Sequence, residues 1–269
     1  MVNLLVAAAL AAATPAAAAP PTTPANEPAL FVVRDADTTI YIFGTFHALD
    51  GRSQWFDDHV RNAFEQSNEL VLETLIPERP SEVPQAVPGF RPPSVTPSAS
   101  FLATTRMAIS AGRAQGMQVG NGADMVLRHV AEAEGKPVEG LETLQLQLDM
   151  FNRLPPASPA ATPQPVAAPP PGDGGQMDSL SKAMAEMQAA WKRGDQSVFV
   201  RMLDQLKTAS PDTYRMMFTE RNTRWADWIR ARMQTPGTVF VAVGAGHLAG
   251  KDSLLVRLAE RGLTSHRVY

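Results

Sequence analysis

The 269 residues carry 24 Lys plus Arg against 27 Asp plus Glu, a formal net charge of -3, which leaves no basic excess for a nucleic-acid footprint. Hydrophobic residues make up 44% of the chain, enough apolar surface for a core, so disorder throughout is excluded. Cysteine is absent. Disulfides, thiolate metal sites and lipid attachment through cysteine are therefore excluded, and any metal must be held by His, Asp and Glu.

The first nineteen residues contain no charged side chain. An apolar run from Leu4 to Ala13 leads into a small-residue tract ending at Ala17, Ala18 and Ala19. That pattern predicts a signal peptide over 1–19, and with it a periplasmic or secreted protein, although no Lys or Arg stands near the start. The run is too short to span a bilayer and no other apolar run is long enough, so no stable membrane span is expected. Residues 20–28 read as a disordered N-terminal segment and 29–269 as a single domain.

Leu30–Arg34 and Thr39–Phe43, flanking Asp35-Ala36-Asp37, predict a β-hairpin. Asp57–Ser67 has helical spacing, and Glu69–Leu75 reads as a buried strand. Pro77 to Pro97 holds seven prolines, so a Pro-rich insertion is expected near 77–98. Ala123–Glu134 is predicted helical, with Met125, Val126, Val130 and Ala133 as its apolar stripe. Pro137–Leu141 reads as a short strand and Glu142–Phe151 as a helix. A second Pro/Ala/Gly-rich insertion is expected near 155–175. Helices follow over Asp178–Arg193, Asp195–Ala209 and Asp212–Met233. Thr238–Val243 is a strand, Gly244–Gly250 a glycine turn, Ser253–Arg261 a helix and Thr264–Val268 a last strand. Strands alternating with helices predict an α/β fold: a mixed, mainly parallel sheet flanked by helices.

Two strands end alike. TTIYIF runs into Gly44-Thr45-Phe46-His47, and TVFVAV into Gly244-Ala245-Gly246-His247. Glycine permits a tight turn with positive φ and a close backbone approach. Open α/β sheets bind ligands at the carboxyl ends of their strands. A single Gly-x-x-His reads most simply as a turn histidine. Two, each after an apolar strand and one in each βα half, point to a shared metal or acid–base site at His47 and His247. His59, His129 and His266 read as surface or packing residues. Glu73 ends an apolar strand, where a carboxylate is costly unless paired or ligating, and Glu142 stands in a similar place after Leu141. In Glu220–Trp225, Arg221 shares a helix face with Trp225 and Trp228. It reads either as part of a solvated amphipathic helix or as a group that, with Asn222, orients a substrate carboxylate or carbonyl.

Gly244-x-Gly246-x-x-Ala249 matches a dinucleotide pattern, but only 19 residues follow Gly250. No βαβ unit remains to complete it, and no nucleotide is expected. Met184, Met187 and Trp191 form a stripe at helical spacing that reads as packing.

These pieces together resemble the TraB/GumN family, related to the TIKI proteins. The resemblance rests on Ile42–His47, Leu70–Glu73, Gly135–Thr143, Glu220-Arg221-Asn222 with Trp225, and Val243–Gly250, in that order. It implies a fold akin to erythromycin esterases and ChaN-like proteins, and a site of paired Gly-x-x-His motifs with a glutamate. The TIKI members are described as divalent-metal-dependent proteases. The expectation is an exported hydrolase acting on a peptide or other acyl bond. His47, Glu73, Arg221 and His247 would be its catalytic residues, and Glu142, Asn222, Gly44 and Gly244 would bind substrate. His47, Glu73 and His247 would hold Mn²⁺, Co²⁺ or Zn²⁺, or alternatively His47 would activate water without a metal. Two rivals remain: a non-catalytic protein sequestering a peptide or polysaccharide precursor, and a haem or iron binder using the same histidines.

Overall fold

The computed structural model describes residues 27–52, 54–75, 110–153 and 173–269. The expected signal peptide, almost all of the 20–28 segment, the insertion near 77–98 and most of that near 155–175 lie outside the described residues.

Among the described residues, six strands form one sheet: β1 (Leu30–Arg34), β2 (Thr38–Thr45), β3 (Glu69–Thr74), β4 (Val138–Glu142), β5 (Gly237–Gly244) and β6 (His266–Arg267), in the order β4-β3-β5-β2-β1-β6. β4, β3, β5 and β2 run parallel, while β1 pairs antiparallel with both β2 and β6. The mixed, mainly parallel α/β sheet is therefore as the sequence predicts. The central strands are buried on both faces, which is why they read as continuous apolar runs.

The period of two in these strands divides the core. Phe43, Leu70, Leu72, Phe240 and Ala242 join an aromatic layer with Trp55, Phe64 and Trp191. Helices α1 (Asp58–Glu65), α2 (Ala123–Ala133), α4 (Asp173–Lys192) and α5 (Ser197–Ala209) contribute to that layer. Ile40, Ile42, Val71, Val239, Val241 and Val243 face the other way. There they meet Trp225, Ala226 and Ile229 of α7 (Glu220–Arg232) and Leu254 and Leu258 of α8 (Leu254–Ala259). Helix α3 (Leu144–Arg153) follows β4.

The elements differ from expectation in detail, for example at Glu142, which ends β4 rather than opening a helix. The long helix predicted over Asp212–Met233 is α6 (Pro211–Tyr214), a π-helical turn at Arg215–Thr219, then α7. Helix α4 starts at Asp173 rather than Asp178. The fully buried stripe of α2 is Ala123, Leu127 and Ala131; of the expected stripe, Val126 and Val130 pack partly buried against the core, whereas Ala133 is exposed. No helix among the described residues is long and apolar enough to cross a membrane.

Candidate functional site

β2 and β5 are parallel neighbours with Thr45 opposite Gly244. Both Gly-x-x-His segments therefore leave the sheet side by side. After β5 the chain enters a 3-10 turn at Ala245–Leu248. The expected positive φ is absent: Gly244 has φ -53, and the positive-φ glycines are others, such as Gly51, Gly116 and Gly250. What Gly244 supplies is space. A Cβ there would lie 3.1 Å from Glu73 Oε1, 3.3 Å from His47 Nε2 and 3.8 Å from His247 Cδ2. The three side chains named from sequence converge on that one point.

Glu73 reaches it by strand parity. It shares a face of β3 with Glu69 and Val71, and that face meets α7. Arg232 Nε donates to Glu69 at 2.9 Å, and Arg221 Nη2 donates to Glu73 Oε2 at 2.7 Å. Two acids near opposite ends of the strand thus match two arginines near opposite ends of the helix. Arg221 is 3% exposed. Its Nε donates to Glu142 at 3.0 and 3.2 Å, its Nη1 lies 3.3 Å from His247 Nε2, and the guanidinium stacks 4.5 Å from the Trp225 ring centroid. Glu142 also accepts from Arg224 at 3.0 Å. The Gly244 amide donates to Glu73 Oε1 at 2.5 Å.

The network assigns the His247 tautomer. Arg221 can only donate, so Nε2 accepts and Nδ1–H donates to Asn222 Oδ1, 2.7 Å away. Asn222 Nδ2 in turn donates to the Asp252 carbonyl at 2.8 Å. Phe218 from the π turn and Trp225 flank the ring, with centroids 4.9 and 4.4 Å away. Burial, reinforced by the Arg221 and His47 charges and opposed by Glu73, lowers the His247 pKa from 6.5 to about 3. The imidazole is neutral at pH 7. For Glu73, burial raises the pKa, but the charges of His247, Arg221 and His47 and the Gly244 amide lower it from 4.5 to about 2. Since His247 is neutral above pH 3, Arg221, His47 and the amide are what hold Glu73 ionised at pH 7.

His47 differs from this buried floor, with its side chain 59% exposed and its Nδ1 3.1 Å from Asp124 Oδ1. Partial desolvation opposes its charging, yet the Asp124 contact and the Asp124 and Glu73 charges outweigh this and raise its pKa from 6.5 to about 9. Asp124 is the residue that sequence reasoning missed. It sits in the first turn of α2, where an acid is an ordinary complement to the helix dipole, so no local signal marks it. Gly122 caps that helix, and a Cβ there would lie 2.4 Å from the His47 carbonyl oxygen. Only glycine lets α2 approach His47 so closely. The Ala123 amide donates to the Phe46 carbonyl at 3.0 Å.

Several expected substrate contacts are occupied by the protein itself. Asn222 and Glu142 are buried and engaged with His247 and with two arginines. The Gly44 carbonyl accepts the Trp191 indole N–H at 2.7 Å. These residues hold the site together from behind rather than lining its mouth. His59, His129 and His266 are exposed.

The donors expected to ligate a metal are suitable in kind. Both imidazoles have Nδ1 held from behind, by Asp124 and Asn222, as ligating histidines do. The Arg221 guanidinium, however, already occupies Glu73 Oε2 and His247 Nε2, and the Gly244 amide occupies Glu73 Oε1. Among the described residues no group of three or more His, Asp or Glu side chains could hold a metal ion. As arranged here, the residues do not fit one.

No curated protein and no solved structure matches the chain. A model of the TraB/PrgY/gumN family does match, over residues 29–89 and 91–267, and the chain belongs to that family.

Proposed function

We propose that this is an exported hydrolase that cleaves a peptide or other acyl bond at His47, above a floor formed by Glu73, Arg221 and His247. The observation that carries this reading is the contrast in burial. One imidazole opens to solvent with its Nδ1 held by Asp124, on top of a network in which every other charged group is paired.

In the neutral form His47 Nε2 takes a proton from attacking water, and Asp124 and Glu73 stabilise the imidazolium that results. Proton return to the leaving group restores the base. Arg221 has five N–H donors. Its contacts with Glu142, His247 and Glu73 leave two for the oxygen of a substrate carbonyl as it gains charge. His247, locked by Asn222, keeps the guanidinium in register. Arg221 thus supplies the positive charge that a metal would otherwise bring, and no step requires one.

The test is turnover of peptide, ester and amide libraries by purified protein, with and without EDTA. The expected result is hydrolysis that survives chelation and falls by about 10²-fold or more in His47→Ala. Loss of turnover on chelation with recovery on adding Mn²⁺, Co²⁺ or Zn²⁺ would overturn the assignment of the cation to Arg221. A well-folded protein that binds a peptide or polysaccharide precursor yet hydrolyses nothing would favour the sequestering alternative.

A further inference from the structure

A cleft of about 640 Å³ opens at Ala48, the residue after His47, lined in part by Ala48, Arg113, Met117, Val119 and Met184. Its volume is in the range of small-molecule sites. It is tied rigidly to the histidine. Leu49 and Gln118 form an antiparallel bridge, with N–H···O distances of 2.9 and 3.2 Å in the two directions. The 3-10 turn Val119–Asn121 then leads to Gly122, which packs on the His47 carbonyl. The wall of the cleft and the histidine therefore belong to one braced loop pair.

The chemistry of the lining is specific. Val119 and Met184 give an apolar surface backed by the buried Met117, and methionine side chains adapt to irregular ligands. Val119 is 56% exposed, the most exposed large hydrophobic residue among those described. Arg113 is exposed and has no ion-pair partner among the described residues, unlike the arginines of the floor. An apolar wall beside a cation that is unpaired among the described residues complements a group that is apolar along its length and negatively charged at one end.

We propose that this cleft is the specificity subsite: it takes an apolar side chain or acyl tail next to the scissile bond, with a carboxylate or similar anion beyond it at Arg113. The assignment rests on the hydrolase reading for the word substrate, but the cleft's ligand preference is measurable without turnover.

The experiment is fluorescence titration of the full chain with two probes. One is 8-anilinonaphthalene-1-sulfonate, apolar with one anionic group, and the other is the uncharged N-phenyl-1-naphthylamine. Both are expected to bind. Val119→Asp puts a like charge against the anion and a polar group against the ring, and should weaken both probes by about tenfold or more, roughly 1.4 kcal/mol or more. Arg113→Gln should weaken the sulfonate probe by about three- to tenfold and leave the uncharged probe within about twofold. His47→Ala should leave both affinities unchanged. Absence of binding, binding indifferent to Val119→Asp, equal loss of both probes in Arg113→Gln, or loss in His47→Ala would each overturn the proposal. Failure of the hydrolase reading gives a different signature: probe binding with these sensitivities intact, and no turnover.

Discussion

At the scale of single residues, the site separates groups by what burial does to them. Arg221 and Arg224 both hold Glu142, but Arg221 is buried and the Arg224 side chain is 46% exposed. Arg221→Met leaves Glu73 and Glu142 without their buried partner and is expected to cost about 3–5 kcal/mol in urea unfolding. Arg224→Met removes a screened contact and is expected to cost under about 1 kcal/mol. Comparable losses would mean the buried network is not what carries the stability. Asp124 acts on His47 through charge. Asp124→Asn keeps the shape and removes that charge, so the His47 pKa should fall from about 9 toward its ordinary value. With His47 as base, activity in the parent protein should rise with pH through about 9, and the rise should move to lower pH in the variant. A pH–rate limb that does not move would exclude Asp124 from the proton-transfer group.

At the scale of elements, the site depends on how closely α2 and α4 approach the ends of the strands. A Cβ at Gly122 would collide with the His47 carbonyl oxygen, and that backbone has no rotamer to yield. Gly122→Ala should therefore destabilise by about 1–3 kcal/mol and displace His47 from Asp124. Turnover should fall more than that stability loss explains when assayed well below the melting transition. Unchanged stability and turnover would show that α2 can slide without consequence. The π turn at Arg215–Thr219 has a related task. The wider turn sets Phe218 against the His247 ring and the face of Gly246, ahead of Arg221 in the next turn. π-helical turns often occur where a helix must present side chains to a site.

At the scale of the whole molecule, the pKa values bound a pH window for stability. His47 has its folded pKa raised from 6.5 to about 9. Its contribution is fully present below pH 6.5 and is lost as pH rises through 9. His247 has its folded pKa lowered from 6.5 to about 3. Protonation of the unfolded chain then draws stability away as pH falls from 6.5 toward 3. Glu73, lowered from 4.5 to about 2, contributes above pH 4.5 and loses that contribution as pH falls through 2. The three curves overlap best near pH 6.5, so the urea midpoint measured from pH 4 to 10 should peak close to that value. His47→Ala should flatten the alkaline side. A midpoint that rises steadily to pH 10 would contradict the His47 assignment. The mature N-terminus of exported protein should lie near Pro20, as mass spectrometry of the periplasmic or secreted form can check; an intact Met1 on cytoplasmic protein would count against export.

The sequence by itself determined the strands and the repeated feature at their ends. Ile40–Phe43 and Val239–Val243 are apolar without interruption because both faces of a central parallel strand are buried, and that composition is written locally. The two Gly-x-x-His segments were legible for the same reason, since each follows such a strand directly. What each glycine is for was not legible. A missing Cβ serves either backbone conformation or close approach, and only the convergence of Glu73, His47 and His247 on Gly244 shows that space is the reason here. Strand parity pointed Glu73 to one face, but the helix crossing that face was decided by packing across 148 residues of chain. Asp124, the capping Gly122, the engagement of Asn222 with His247 and the placing of a guanidinium among the expected metal ligands belong to the same class. Each depends on which elements lie side by side, a property of the folded core that no local pattern of residue types encodes.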